Sequence, residues 1–173
     1  DIGNFSVRRA LPSAKRRLVG PFIFFDRMGP AVLKAGDAMD VRPHPHIGLS
    51  TVTYLFDGEI KHRDSLGTEL VIAPGDINLM TAGRGIVHSE MFPLLQRDAG
   101  NPLELFQIWL NLPAAHKMAP AHFKMLWGDT IPAGEHREAE GRLTRLSGVA
   151  GRLQVGTQDL TPPSPPPDST TSG

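Results

Sequence analysis

The sequence predicts an all-β fold, a sandwich or barrel of short strands. Three observations carry that expectation. First, 18 glycines and 16 prolines among 173 residues break the chain at short intervals, leaving segments suited to strands and too short for successive helices. Second, Asp57-Gly58 and Pro74-Gly75-Asp76 read as turns: Gly accepts the positive φ that tight turns demand, and Pro presets φ for its own position. Third, Phe106, Ile108, Leu110 and Leu112 fall on one face of the segment Glu104 to Leu112, and Leu105, Gln107, Trp109 and Asn111 on the other. A wholly apolar face opposite a mixed one is expected where a sheet covers a core on one side only.

Strands are predicted in chain order from these signals. Pro21 to Phe25 carries the apolar run Phe22 to Phe25. Ser50 to Phe56 and Glu59 to Asp64 flank Asp57-Gly58, which predicts a hairpin between them. Glu69 to Ile72 and Asp76 to Met80 flank Pro74-Gly75. Ile86 to Glu90 follows Thr81-Ala82-Gly83-Arg84-Gly85, whose glycines permit a tight approach of backbone before that strand. Glu104 to Leu112 closes the series. Past Pro113 the pattern weakens: Ala114 to Pro120 is a small-residue connector, Phe123 to Trp127 is a further candidate strand, and Gly134 to Arg145 is charged. A second β-like stretch runs from Leu143 to Val155, and the Pro-rich end from Thr161 to Asp168 is expected to be extended or disordered.

Composition excludes several classes. With no cysteine, a disulfide scaffold, a thiolate metal centre and a cysteine nucleophile are ruled out, so any metal must be held by His and carboxylate. Eighteen basic residues balance 18 acidic ones, which argues against direct nucleic-acid binding as the main task. No apolar run approaches the ~20 residues that span a bilayer, and a cytoplasmic protein without membrane contact is expected. The length suits one domain of about 100 to 200 residues, or one plus part of another. Asp1 stands where a Met would begin a chain, so residues missing upstream are expected.

The chemistry is carried by His and Glu. His44 and His46 flank Pro45, and His88 and Glu90 repeat the same spacing; in extended backbone, residues two apart share one face, and Pro keeps its predecessor out of the helical region. Two such pairs on neighbouring strands would bring three imidazoles and one carboxylate to one point, a donor set suited to Fe(II), Mn(II), Ni(II), Cu(II) or Zn(II). A single His-x-His pair is more often two partly exposed polar residues, and the conjunction of two pairs is what points to a metal.

These residues carry a resemblance. Gly36, His44-x-His46 and Gly58 resemble the first cupin motif, and Gly75-Asp76 with Gly85-Ile86-Val87-His88 the second. Val19-Gly20-Pro21-Phe22-Ile23-Phe24-Phe25-Asp26, Arg42-Pro43-His44-Pro45-His46-Ile47-Gly48-Leu49, His62-Arg63-Asp64-Ser65-Leu66-Gly67 and Met80 to Glu90 are similar to the pirin family of bicupins, over about Val7 to Pro113. The resemblance implies a jelly-roll cupin, complete over residues 1–113 as an N-terminal metal-binding domain. Residues 114–173 would form a connector and the truncated start of a second cupin, whose missing strands lie in a longer product or come from another chain. It implies one divalent transition metal, iron(II) first and Ni, Co, Cu, Mn or Zn as alternatives, held by His44, His46, His88 and Glu90. Where a typical first motif offers Glu after the His pair, this chain has Ser50 and Thr51, so Glu90 must supply the carboxylate.

The resemblance further implies one of two functions. One is a quercetin 2,3-dioxygenase type of enzyme, opening a flavonol or other aromatic ring with O2, with Glu90 catalytic as acceptor of the substrate hydroxyl proton. The other is a non-enzymatic, iron-dependent redox sensor that binds a regulatory protein such as a transcription factor, or a metabolic enzyme. His62 is expected in a supporting or surface role, and His116, His122 and His136 as ordinary surface or packing residues. The basic run Arg8, Arg9, Lys15, Arg16 and Arg17 reads as a solvated edge or a contact for an acidic partner. Phe22, Phe24 and Phe25 are expected in the core or at the mouth of the barrel, facing an aromatic ligand.

Overall fold

The structure is a computed structural model and describes residues 6–34, 40–93, 98–137, 143–147, 154–155 and 158–159. Two compact units divide at Gly128/Asp129. The first holds β1 (Val7–Leu11), β2 (Phe22–Leu33), β3 (Val41–His46), β4 (Leu49–Asp57), β5 (Ile60–Asp64), β6 (Glu69–Ile72), β7 (Ile77–Thr81), β8 (Ile86–Met91), β9 (Asn101–Asn111) and β10 (His122–Leu126). The second holds the antiparallel pairs β11 (Ala133–Arg137) with β12 (Leu143–Ser147), and β13 (Gln154–Val155) with β14 (Gln158–Asp159). Every strand expected before Pro113 is present; the expected series lacked β1, β11 and β14, and held β3 only as the extended segment around His44 and His46. The Leu143 to Val155 stretch is described only at β12 and β13, and the Pro-rich end from Thr161 lies outside the described residues. No helix among the described residues is long and apolar enough to cross a membrane.

In the first unit, a six-stranded sheet ordered β1-β2-β9-β4-β7-β10 packs on a four-stranded sheet ordered β3-β8-β5-β6. This is the all-β, double-sheet arrangement of a jelly roll. The Asp57-Gly58 turn is present, with Gly58 at φ 90°, but it is not a hairpin. β4 and β5 belong to different sheets, so the turn carries the chain across the sandwich. Gly is required there because a Cβ at position 58 would meet the Pro102 carbonyl at 2.2 Å. β10 pairs with β7, so the connector after Pro113 leads back into the same sheet, and the first unit runs through Gly128.

Register arranges the inner face of the large sheet in rows, because cross-strand partners share a face. Met28, Leu105 and Leu55 form one row, Asp26, Gln107, Thr53 and Asn78 the next, and Phe24, Trp109, Thr51, Met80 and Phe123 the third. The first row joins Leu33 and Leu103 against Ile60, Ile72 and Phe92 to form an apolar core at one end of the sandwich. The wholly apolar face of the Glu104 to Leu112 segment is therefore not the one that covers the interior. Its mixed face, with Gln107 and Trp109, points inward, while Phe106 makes edge contacts with Phe25 and Phe56 on the opposite side. The inner face is mixed because the other end of the interior is polar.

Candidate metal centre

Three adjacent strands of the small sheet present polar side chains to that interior. β8 lies between β3 and β5, with His88 opposite His44 on one side and Asp64 on the other, and Glu90 opposite His62. Each strand contributes residues two apart: His44 and His46, His88 and Glu90, His62 and Asp64. Period-two geometry aims all of them at one face. Gly83 precedes β8 at φ 49°, and a Cβ there would fall 2.0 Å from the Ala119 carbonyl. The close approach expected of this glycine segment is thus found at Gly83, where it ties the start of the ligand strand to the 113–120 connector.

The His44, His46 and His88 ligand atoms all lie within 4.8 Å of one another, and those of His62, His88 and Glu90 form a second such group. Glu90 thus stands with His62 rather than with His44 and His46. His44 Nδ1 donates to the Arg42 carbonyl at 2.9 Å, which turns Nε2 toward His46 Nε2, 3.1 Å away. His88 is buried, and both of its ring nitrogens lack a hydrogen-bond partner, as do Glu90 Oε1 and His62 Nδ1. Buried polar atoms in native proteins are nearly always paired, and a cluster of orphaned donors to metal at one point fits a bound cation.

Electrostatics point the same way. Burial and the neighbouring His44 lower the pKa of His46 to about 4. Burial, His44, His46 and His62 lower that of His88 to about 3, against a small opposing pull from Asp64. Both rings are neutral at pH 7 and hold lone pairs ready for a metal. Burial raises Glu90 to about 7, and its hydrogen bond with Thr53 offsets only part of that. Thr53 Oγ1 gives its one proton to Gln107 Oε1 at 2.9 Å, which anchors the polar row behind the site. Three imidazoles and a carboxylate suit a divalent transition metal; Mg and Ca prefer all-oxygen shells.

His62 is fully buried rather than at the surface. Its Nε2 donates to Asp64 Oδ2 at 3.1 Å, and Asp64 Oδ1 accepts from the backbone N–H groups of Leu66 and Thr68. Its ring lies against Phe123, with centroids 4.6 Å apart, and near His88 at 5.3 Å. The sequence signal was available: His62-x-Asp64 is a third pair of residues two apart in a predicted strand. His116 and His122 are exposed as expected, and the side chain of His136 lies outside the described residues. Of the three phenylalanines, Phe24 faces the site: it stacks on Trp109 at 4.3 Å, and Trp109 meets His46 edge-on at 5.2 Å. Arg9 is exposed on the edge strand β1, as expected of a solvated edge, and from there makes two 2.8 Å hydrogen bonds to buried Asp26 and covers the Phe24 ring.

Two facing antiparallel sheets around a buried histidine cluster define an all-β cupin. The pattern that defines the pirin family matches residues 4–110, and the chain belongs to that family. A pirin-like protein of Caulobacter vibrioides is 56% identical over 115 residues, covering 65% of this chain and 40% of its own length. A Pseudomonas aeruginosa protein provisionally named quercetin 2,3-dioxygenase is 46% identical over 120 residues, covering 69% of this chain and 37% of its own. The crystal structure of a quercetin 2,3-dioxygenase from Acinetobacter baumannii superposes with a TM-score of 0.78 at 34% identity, covering 91% of this chain and 48% of that one. The chain spans less than half the length of each of these proteins.

Proposed function

We propose that this chain carries the metal centre of a dioxygenase of the quercetin 2,3-dioxygenase type, acting with O2 on a flavonol or related aromatic substrate. His44, His46, His88 and Glu90 would hold one divalent transition ion, iron(II) first. The observation that carries this reading is the set of buried, unpartnered atoms of His88 and Glu90, next to a His46 that packs against His88 on one side and Trp109 on the other. A bound metal would supply a Lewis-acidic contact for the substrate hydroxyl and electrons for O2.

The remaining work falls to side chains. Trp109, backed by the Phe24 ring stacked on it, would present an apolar aromatic surface to a planar substrate ring. The neutral imidazoles of His46 and His88 keep their lone pairs for the metal, whose charge would favour an ionised substrate oxygen. Glu90, the carboxylate of the proposed donor set, would accept the substrate hydroxyl proton. The likeness to proteins named as quercetin 2,3-dioxygenases supports the reaction class.

The test is elemental analysis of the protein purified without added metal, then aerobic incubation of the Fe, Ni, Co and Cu forms with quercetin, following the flavonol absorbance. The expected result is one metal per chain and loss of absorbance that disappears in His44→Ala and Glu90→Ala. Absence of turnover in every metal form of the complete protein would reject the enzymatic reading. Full metal occupancy in both variants would reject the ligand assignment.

A further inference from the structure

The polar interior holds more potential ligands than one metal position uses. Four of the five His and Glu side chains suffice for the centre proposed above, and His62 is left over, fully buried. A buried histidine with a purely structural role ordinarily has both ring nitrogens satisfied. His62 has one. Its Nε2 is bonded to Asp64, and its Nδ1 is sealed from solvent with no hydrogen-bond partner.

Asp64 fixes which nitrogen carries the proton. Its Oδ2 faces His62 Nε2, and its Oδ1 is already taken by two backbone N–H groups at 2.9 and 3.1 Å. A carboxylate held in this way accepts only, so Nε2 donates and Nδ1 keeps the lone pair. This carboxylate–histidine couple is the usual support behind a metal-bound imidazole: it sets the tautomer, fixes the ring and raises ligand basicity. The Phe123 ring holds the imidazole from the side. The ligand atoms of His62, His88 and Glu90 lie within 4.8 Å of one another, and a tetrahedral shell at about 2.1 Å places its ligand atoms about 3.4 Å apart. Small side-chain adjustments close that gap.

We infer that His62, His88 and Glu90 form a second, inner metal position, one that takes a divalent transition ion such as Co(II), Ni(II) or Zn(II) at a more buried point than the His44–His46–His88 group. Two nitrogens and a carboxylate match the donor preferences of those ions. The inference deepens the metal-centre reading and depends on it through His88 and Glu90. A neutral imidazole has one lone pair, so His88 serves one position at a time and the two positions compete for a single ion.

The experiment is a Co(II) titration of the metal-free full chain, read by the visible d–d absorption of the bound ion, with circular dichroism of each variant as the check on folding. The His44→Ala/His46→Ala double variant is expected to bind one Co(II) per chain with a spectrum different from the parent's. Adding His62→Ala is expected to lower affinity by 100-fold or more. Asp64→Asn in the same double variant leaves the ring in place and is expected to weaken binding about tenfold. A double variant that is folded yet binds no Co(II), beside a parent that binds one, overturns the inner position and leaves the outer centre standing. Equal affinity with and without His62 or the Asp64 charge also overturns it. A parent chain that binds no Co(II) removes both positions.

Discussion

Glu90 and the two buried histidines impose opposite pH dependences on the metal-free chain. Burial raises the Glu90 carboxyl from 4.5 to about 7, so between those values the folded state holds a proton that the unfolded state releases. Stability present below pH 4.5 is therefore lost as pH rises through 7. His46 and His88 are depressed from 6.5 to about 4 and about 3, so their stabilisation is present above pH 6.5 and is lost as pH falls through those lower values. Glu90→Gln removes only the first effect. In urea titrations without metal, the variant should gain on the parent by on the order of 1–3 kcal/mol between pH 4.5 and 7; a constant difference across that range would contradict the assignment. Metal requires the ionised carboxylate, so parent affinity should fall as pH drops below 7, and isothermal titration at pH 6 and 8 would show it. The pairs His44/His46 and His88/Glu90 were legible in the sequence as residues sharing a strand face, because a spacing of two is a direct readout of strand geometry. His62 obeyed the same rule but looked like one polar residue in the charged run Lys61-His62-Arg63-Asp64. Its burial depends on β5 pairing with β8, which no local pattern encodes.

At the level of the strands and turns, glycines mark where the sandwich is pinned. Gly83→Ala places a methyl 2.0 Å from the Ala119 carbonyl at a positive φ, and neither backbone segment can yield cheaply. A loss of about 2–3 kcal/mol is expected by thermal or urea unfolding, together with weaker metal binding, because the displaced loop leads directly into β8. Metal affinity equal to the parent's in the folded variant would show that β8 is held independently of this contact. Asp57-Gly58 teaches the converse lesson. The turn chemistry was readable, but a turn signal reports only a reversal of the chain, and whether the next strand pairs locally or crosses to another sheet depends on long-range partners. The two faces of β9 were likewise separable by alternation. Which one faces inward was not, since the interior rows pair Gln107 with Thr53 and Asp26 instead of with apolar residues.

Across the whole first unit, the main apolar cluster around Leu55 is separate from the polar site, while a smaller cluster of Met80, Ala82 and Ile86 packs with the Phe123 that touches His62. Leu55 is fully buried among Ile60, Ile72, Leu103 and Leu105, and Leu55→Ala should cost about 2–5 kcal/mol while leaving the Co(II) affinity of the folded protein unchanged. Trp109→Ala removes the aromatic neighbour of His46 and should alter the Co(II) spectrum even where the unfolding midpoint moves little. Identical shifts in both variants would show that the Leu55 cluster and the site are not separable. The cupin class was legible from strand spacing together with the His motifs. The return of β10 to the first sheet was not, because a weak strand after a small-residue connector carries no signal of which edge it joins.

The three-strand grid also determines when the protein can first hold a metal. The donors His44, His46, His88 and Glu90 converge only after β3 and β8 have paired in register, and those of the His62 position only after β5 has joined β8; a slip of one residue would turn a whole strand's donors outward together. The unfolded chain has one His-x-His pair, His44 and His46, but no assembled chelate. An indicator ion added during refolding therefore works as a clock: the moment its spectrum changes dates the closure of the small sheet, and the ion rewards only chains that have closed it correctly.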